Sequence, residues 1–441
     1  MALDKNQIKQ AVIDAIESSR DEIIGLGEDI FHHPELGYKE HRTAGVYQAI
    51  LEHLGLGYEG GIAITGSKAV LAGRDSRATV GVMGELDAVV CPEHPHASPE
   101  TGAAHSCGHN AQMAALAGVA MGLARSGMMA HLDGNVALLA VPAEEPVEIE
   151  WRQRMIDAGK ITFLGGKQEF IKLGAMDDVD MTVMFHSTPP RDGKVARIGG
   201  SSNGFVAKLI KYSGREAHAG GAPHAGINAL NAAMLGLMGI HANRETFKDE
   251  DHVRIHPIIT KGGDLVNIIP ADVRIETYVR AATMDAITAA SAKTNRALLA
   301  GAMAVGAEVE IKEIPGFLPR FTNQHLDQLM MANAVALLGQ DKVAWGGHGT
   351  GSSDIGDVMH IMPAIHPYFA GFEGQGHTKD YRLTDPYLAF VVPAKALAMT
   401  VVDLLADGAA EALRIKAASQ PRMSKQEWLK FWQEFCAGTT A

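Results

Sequence analysis

Residues 135–145 read NVALLAVPAEE. An unbroken apolar run of this length reads as a strand buried on both faces, as in a parallel sheet. It runs out on two consecutive glutamates, Glu144 and Glu145. Upstream, ATVGVMGELD (78–87) reads as a second such strand and ends at Glu85-Leu86-Asp87. Downstream, VDMTVMFHS (179–187) reads as a third, ending at His186. In open α/β sheets, ligands collect beyond the carboxyl ends of the strands. Asp87, the glutamate pair and His186 are therefore expected at one edge of one sheet. Each alone reads equally well as a surface acid or a satisfied core histidine; the coincidence of three carries the argument.

Between the first two strands lies HSCGHNAQMAALAGVAMGLA, residues 105–124. Cys107 and His109, separated only by Gly108, stand at the mouth of an apolar, Ala-rich helix pattern. A helix N-terminus favours a thiolate, because its free N–H groups and dipole stabilise negative charge. A deprotonated thiol beside imidazoles suits zinc or a similar transition ion. By itself C-x-H is a weak motif, since most cysteines are small buried hydrophobes.

The rest of the chain surrounds this centre. Residues 4–56 carry helical apolar periodicity, broken at HHPELG and ended by a glycine. SKAVLAG (67–73) reads as a strand and residues 91–105 as a Pro-rich loop. Residues 203–314 have a self-contained order, β-α-β-β-α-β, the split βαβ arrangement. Its members are GFVAKLIKYSG, a helix from Gly226, VRIHPIITKGG (253–263), DVRIETYVRA (272–281), a helix over 284–305, and EVEIKEI. The first domain then resumes, with a helix over 324–339, the Gly-rich loop 345–358 with Asp354, and a strand in MPAIHPYFAGFEG (362–374). His377 follows in GQGHTKDY. A long closing helix is expected over 384–408, and an amphipathic piece around WLKFWQEF. The domains are thus 1–202 with 315–441, and an inserted 203–314.

Hydrophobic residues make up 46% and charged residues 20% of the 441, the composition of a globular chain with material for more than one core. A net charge of −12 without Lys/Arg clusters speaks against nucleic acid or an anionic membrane as partner. Cys91, Cys107 and Cys436 are too few and too scattered for a disulfide framework. No apolar run approaches the ~20 residues of a membrane span, and MALDKNQIKQ has no signal-peptide core. The expected place is the cytoplasm.

The motifs together resemble a family. FHHPELGYKEHRTA, GELDAV, HSCGHN, PAEE, FHSTP, GREAHAGGAPHAGINA, GGDLVNIIPADVRI, SSDIGDV and GHTKDY are similar, in order, to the zinc-dependent amidohydrolases of the aminoacylase and carboxypeptidase type. The likeness is to the branch of N-acyl-amino-acid amidohydrolases and p-aminobenzoyl-glutamate hydrolase. It implies a zinc-exopeptidase-like catalytic domain, a mixed α/β sheet flanked by helices, and a ferredoxin-like insert serving as lid and dimerisation domain. It implies two divalent ions, zinc first, with manganese, cobalt or nickel as alternatives. Cys107 would bridge them, and His109, Glu145, His186 and His377 would complete the shells. Asp87 would orient a ligand, and Glu144 would be general base to a metal-activated water. His218 would polarise the scissile carbonyl, and Asn267 would help place an N-acyl amino acid or dipeptide-like substrate. A homodimer or higher homo-oligomer is expected.

Two departures stand out. Asn110 and Gln112 replace the Asp and His that often follow Cys-Gly-His in this branch. PVEIEWRQRMIDAGKITFL (146–164) is inserted directly after the glutamates; it reads either as a lining of the substrate pocket or as a surface excursion. Three rival readings remain: a dipeptidase or carboxypeptidase of the same fold, a cysteine hydrolase using Cys107, and a two-domain binding protein without activity.

Overall fold

The computed structural model describes residues 3–437. The chain divides into two compact units. One runs to Ser201 and resumes over Phe321–Gly347 and Asp357–Lys425; the other holds Ser202–Arg320, His348–Gly356 and the chain from Gln426. The second unit thus takes in residues 348–356 and the last helix besides the 203–314 segment.

The first unit is built on a six-stranded sheet in the order Tyr58–Ile62, Gly66–Leu71, Asn135–Val141, Thr79–Glu85, Met181–Val183, Ala364–Ile365. Thr79–Glu85 lies parallel to Asn135–Val141 on one side and to Met181–Val183 on the other. The two strands before residue 72 are antiparallel additions at one side. Val80, Val82, Val136, Leu138, Ala140 and Val183 are all fully buried. The near-continuous apolar runs are what a sheet covered on both faces requires.

Helix His109–Ser126 is hydrophobic all round, with every residue from His109 to Leu123 buried. Such a helix belongs inside a core rather than on it. Its small residues let neighbours close in. A Cβ on Gly122 would fall 2.5 Å from Ile16, and one on Gly118 would fall 2.8 Å from Ala394. Helices Lys5–Ser18 and Val392–Leu405 reach the central helix through these gaps.

Four readings need correction. The run 179–187 is not one strand: Met181–Val183 pairs with Ala364–Ile365, whereas His186–Ser187 pairs with Tyr368–Phe369 in a separate four-stranded sheet. The stretch 362–374 accordingly holds three two-residue strands. Pro367 sits at the crossing and has no N–H to continue the ladder, so the pairing breaks there. The expected closing helix is followed by an unexpected short one, Ala410–Ala418, before the amphipathic piece around WLKFWQEF, which forms helix Lys425–Ala437. Finally, Tyr387–Leu405 is long and apolar enough to span a membrane, with a mean hydropathy of 1.9 over 19 residues. It is 94% buried inside the protein, a core helix.

The inserted stretch 146–164 is no loose excursion. It forms helix Ile149–Asp157, which contributes the fully buried Arg152. The Arg152 guanidinium donates to Leu164 O at 2.7 Å and lies 5.2 Å from the Tyr38 ring. Lys39 pairs with Glu148 at 2.6 Å and sits over Trp151. Gly37 makes room: a Cβ there would meet Arg152 at 2.4 Å and the Ala143 backbone at 2.8 Å.

The second unit has an antiparallel sheet. Gly204–Ser213 is central, flanked by Asp272–Ala281 and Glu308–Phe317. The second strand of the expected order, 253–263, splits into Arg254–Ile255 and Ile258–Lys261, both paired with Asp272–Ala281. Pro257 lies at the break and can donate no hydrogen bond. Val273, Ile275, Val279 and Ala281 alternate inward along their strand. Helices Ala229–Ala242 and Met284–Val305 start at side-chain caps from Asn228 and Thr283. The β-α-β-β-α-β order holds with its second strand in two pieces.

Candidate metal centre

Three neighbouring parallel strands end on the same side, and the chain just beyond each turns into the site. Asp87 lies two residues past Glu85, Glu144 and Glu145 lie three and four past Val141, and His186 lies three past Val183. Cys107 and His109 enter from the helix mouth. Gly108 adopts φ 81° and ψ 25°. A Cβ there would also fall 1.9 Å from Ser187 Oγ, so the left-handed turn and the space both call for glycine.

The structure brings the seven expected side chains of this unit together. Cys107 Sγ is 3.4 Å from His186 Nε2 and 3.3 Å from His377 Nε2. His377 Nε2 is 3.0 Å from Glu145 Oε1. His109 Nε2 is 3.8 Å from Glu144 Oε2. Asp87 ties several of them in place. His109 Nδ1 faces its backbone oxygen at 2.9 Å and Oδ1 at 3.1 Å, while Oδ2 accepts from Glu145 N–H at 2.8 Å. His186 Nδ1 likewise faces Ser187 O at 2.7 Å. Both imidazoles thus carry hydrogen on Nδ1 and turn Nε2 inward, the orientation that outer partners impose on metal-binding histidines.

Two backbone positions are strained. Ala143, just before the glutamates, has φ 54°, and His377 has φ 62°. Left-handed non-glycine residues cost roughly 1–2 kcal/mol each and persist where their surroundings hold them. Ala143 N–H donates to the buried Glu40 at 2.8 Å, and His377 N–H donates to Ser106 O at 2.8 Å.

The electrostatics favour a cation. Burial and Glu145 push the Cys107 thiol up, yet His186 and His109 outweigh them and bring it to about 6. Burial opposes ionisation of Glu145, but the neighbouring His377 holds it at about 2. Glu145, then Cys107, raise His377 to about 11. Burial disfavours charge on His109, but Glu85 and Cys107 raise it well above the usual imidazole range. A half-buried thiolate and buried carboxylates therefore draw positive charge to the ring nitrogens, and divalent ions can take the place of those protons.

The donor atoms fit such ions. Cys107, His109 and His186 offer atoms mutually within 4.8 Å, and so do Cys107, Glu145 and His377. Cys107 belongs to both groups. His109 Nε2 and Glu145 Oε1 are buried and face ionisable groups of the site itself, Glu85 at 3.1 Å and His377 at 3.0 Å, so each is satisfied only by a proton or a cation held between the partners. Soft sulfur with imidazole and carboxylate is a donor set for zinc and its neighbours.

A cysteine nucleophile fits less well. In a nucleophile–base–acid relay the acid holds the far nitrogen of the base. Here Glu145 and Cys107 approach the same nitrogen of His377, and the far nitrogen of His186 faces a carbonyl.

His218 and Asn267 lie in the second unit, side by side. Ala219 N–H donates to Asn267 O at 2.9 Å, and His218 bridges to Ile268. Both side chains are exposed. His218 Nδ1 accepts from Gly220 and Gly221 N–H, at 3.2 and 2.9 Å, so the neutral ring carries its hydrogen on Nε2. Asp354, in the same unit, is fully buried.

Sequence reading missed three groups. Glu85 lies beside His109, with Nε2 to Oε2 3.1 Å, and is paired with the buried Lys167. Glu40 accepts from Ala143 N–H and from Thr65 Oγ1 beneath the glutamate turn. The available signal was an acid two residues before Asp87; Lys167, in a Gly-Lys-Gln-Glu helix start, has none.

Comparison with known proteins agrees. The sequence profile of "Peptidase family M20/M25/M40" matches residues 81–400. The chain is 29% identical over 427 residues to a Xaa-Arg dipeptidase of Mus musculus, covering 90% of this chain and 89% of that protein. It is 26% identical over 338 residues to an N-acetylcysteine deacetylase of Bacillus subtilis, covering 73% and 81%. Its fold is similar to the crystal structure of a dinuclear metal-binding M20 peptidase of Bacillus subtilis. The TM-score is 0.65 at 22% identity, over 88% of this chain and 99% of the other. The chain belongs to the peptidase family M20/M25/M40. It is a metal-dependent amidohydrolase.

Proposed function

We propose that the protein hydrolyses the amide bond of N-acyl amino acids or dipeptides, with two divalent ions, zinc first, held by Cys107, His109, Glu145, His186 and His377. The observation that carries this reading is the sulfur of Cys107, 3.4 Å from one ring nitrogen and 3.3 Å from another that belongs to a separate donor group. Such ions supply Lewis acidity toward a carbonyl oxygen and a water of lowered pKa.

The protein's own groups do the rest. Glu144 takes a proton from the attacking water and passes it to the leaving nitrogen as the C–N bond breaks, leaving a carboxylic acid and an amine. Asp87 fixes the tautomer of His109. His218 offers Nε2–H to the developing oxyanion, and Asn267 places the substrate. A panel of N-acyl amino acids and dipeptides, assayed with metal-analysed protein, tests the reading. Glu144→Gln should abolish turnover and keep both ions; turnover by metal-free protein, or by Glu144→Gln at the wild-type rate, sinks it.

We further propose a homodimer formed through the second unit. Its edge strand Ile258–Lys261 exposes Ile258 and Ile259, and helix Ala229–Ala242 exposes Met234 and Met238. Unpaired edges and apolar patches are usually covered. Sedimentation at micromolar concentration should give twice the chain mass; a monomer removes the proposal. A cytoplasmic home is supported by the free thiols of Cys91 and Cys107.

A further inference from the structure

Glu85 is the last residue of strand Thr79–Glu85 and is fully buried. Its surroundings are unusually complete. Its N–H donates to Gln112 Oε1 at 3.2 Å, and Gln112 Nε2 donates back to Glu85 Oε2 at 2.6 Å. Its other oxygen, Oε1, is paired with the ammonium of Lys167, which is also fully buried and lies in the first turn of helix Gly166–Leu173. Burial opposes the carboxylate, but Lys167, with His109 and His186, brings it to about 2.

Glu85 Oε2 is 3.1 Å from His109 Nε2, both fully buried. His109 Nδ1 faces two acceptors on Asp87 and so carries one ring hydrogen. Between Nε2 and the Glu85 carboxylate there is room for a second proton or for a cation, and divalent ions replace protons at such sites. Nitrogen and oxygen donors that would share one zinc ion at about 2.0–2.2 Å each would stand roughly 3 to 3.6 Å apart. Glu144 joins them, all three donor atoms lying within 4.8 Å of one another.

We propose that Glu85 Oε2 is a ligand of the ion held by His109, and that Lys167 is a positioning residue that grips the same carboxylate by its other oxygen. The proposal rests on the two-ion reading above and adds to it a donor contributed from the sheet itself. Gln112 then has a stated task. It holds Glu85 from the central helix, one turn beyond His109, so ligand and support share a rigid element. Lys167 offsets part of the negative charge that a further carboxylate adds, so the centre stays close to neutral when loaded.

Zinc titration of metal-free protein against a chromophoric chelator tests this. The wild type should bind two ions. Glu85→Gln should bind one of them more than about 100-fold more weakly, beyond the roughly 10- to 100-fold that loss of an outer partner costs, and the other unchanged. It should also shift the visible bands of the cobalt-loaded protein while keeping the thiolate-to-cobalt band of Cys107. Glu85→Gln alone strands the Lys167 charge, so the double variant Glu85→Gln/Lys167→Met, which removes both charges together, is read wherever the single variant shows a non-native circular dichroism spectrum. Two ions in the wild type with both affinities and the cobalt spectrum unaltered in the double variant would overturn the role of Glu85 and leave the two-ion reading standing. Fewer than two ions in the wild type would overturn both.

Discussion

The two units hold their expected site residues in different ways. In the first, His109, Asp87 and Glu85 are fully buried, Asp87 meets two partners, and even the exposed His377 is held between Glu145 and Cys107. In the second, His218 and Asn267 are exposed, and His218 is fixed only by two backbone N–H groups of its own turn. Buried groups hold their geometry through one another, so a change to one is felt by the rest. Exposed groups can be altered singly. The first arrangement suits a centre that must be assembled before substrate arrives; the second suits a group that acts only when substrate is present.

The largest effect tests the interdependence. Cys107→Ala should cost the protein its metal content and all turnover, because one sulfur serves two donor groups; two tightly bound ions in this variant, by elemental analysis, would break the contrast. His218→Ala should show the opposite pattern. It is expected to lower kcat by about 100- to 1000-fold, the cost of losing one oxyanion donor, with metal content unchanged. A loss of metal would mean that His218 is not independent.

Glu40 gives the third test. Burial, then the negative charge of Asp87, raise it from the usual 4.5 to about 7. A raised carboxyl means that the unfolded chain gives up its proton first as pH rises. Glu40 therefore leaves stability intact below about pH 4.5 and removes it between there and about 7. At about 1.4 kcal/mol per pKa unit, the loss is on the order of 3 kcal/mol. Glu40→Gln should flatten that part of the urea-unfolding profile of metal-free protein; parallel wild-type and variant profiles would show that Glu40 carries no such strain.

The same contrast explains what could be read in the sequence. Asp87, Glu144, Glu145 and His186 announced themselves because each follows an apolar run, and the runs turn out to be neighbouring parallel strands. Cys107 and His109 stood at a helix mouth. Glu85 was hidden by its own position inside such a run, where it looked like the end of the strand rather than part of the centre. Lys167 is 82 residues away in sequence from Glu85, and no periodicity links a lysine on a helix to an acid on a strand. The break at Met184-Phe185 was invisible for a similar reason. An apolar run continues through it, and the cause, Pro367, lies on the partner segment. The exposed His218 and Asn267 are singled out only through the likeness to a family, since a polar residue in a polar loop has no local signature.

The helix that begins at His109 has one more consequence. Its first fifteen residues have no face toward solvent, so it cannot fray from that end without opening the interior around it. Amides along it should exchange with deuterium only when the whole unit unfolds. An ion held by His109 at its tip would then leave on the clock of global opening rather than of local breathing, whereas one held by the exposed His377 would not, and the difference in their rates of loss would be a property of the fold as much as of the ligands.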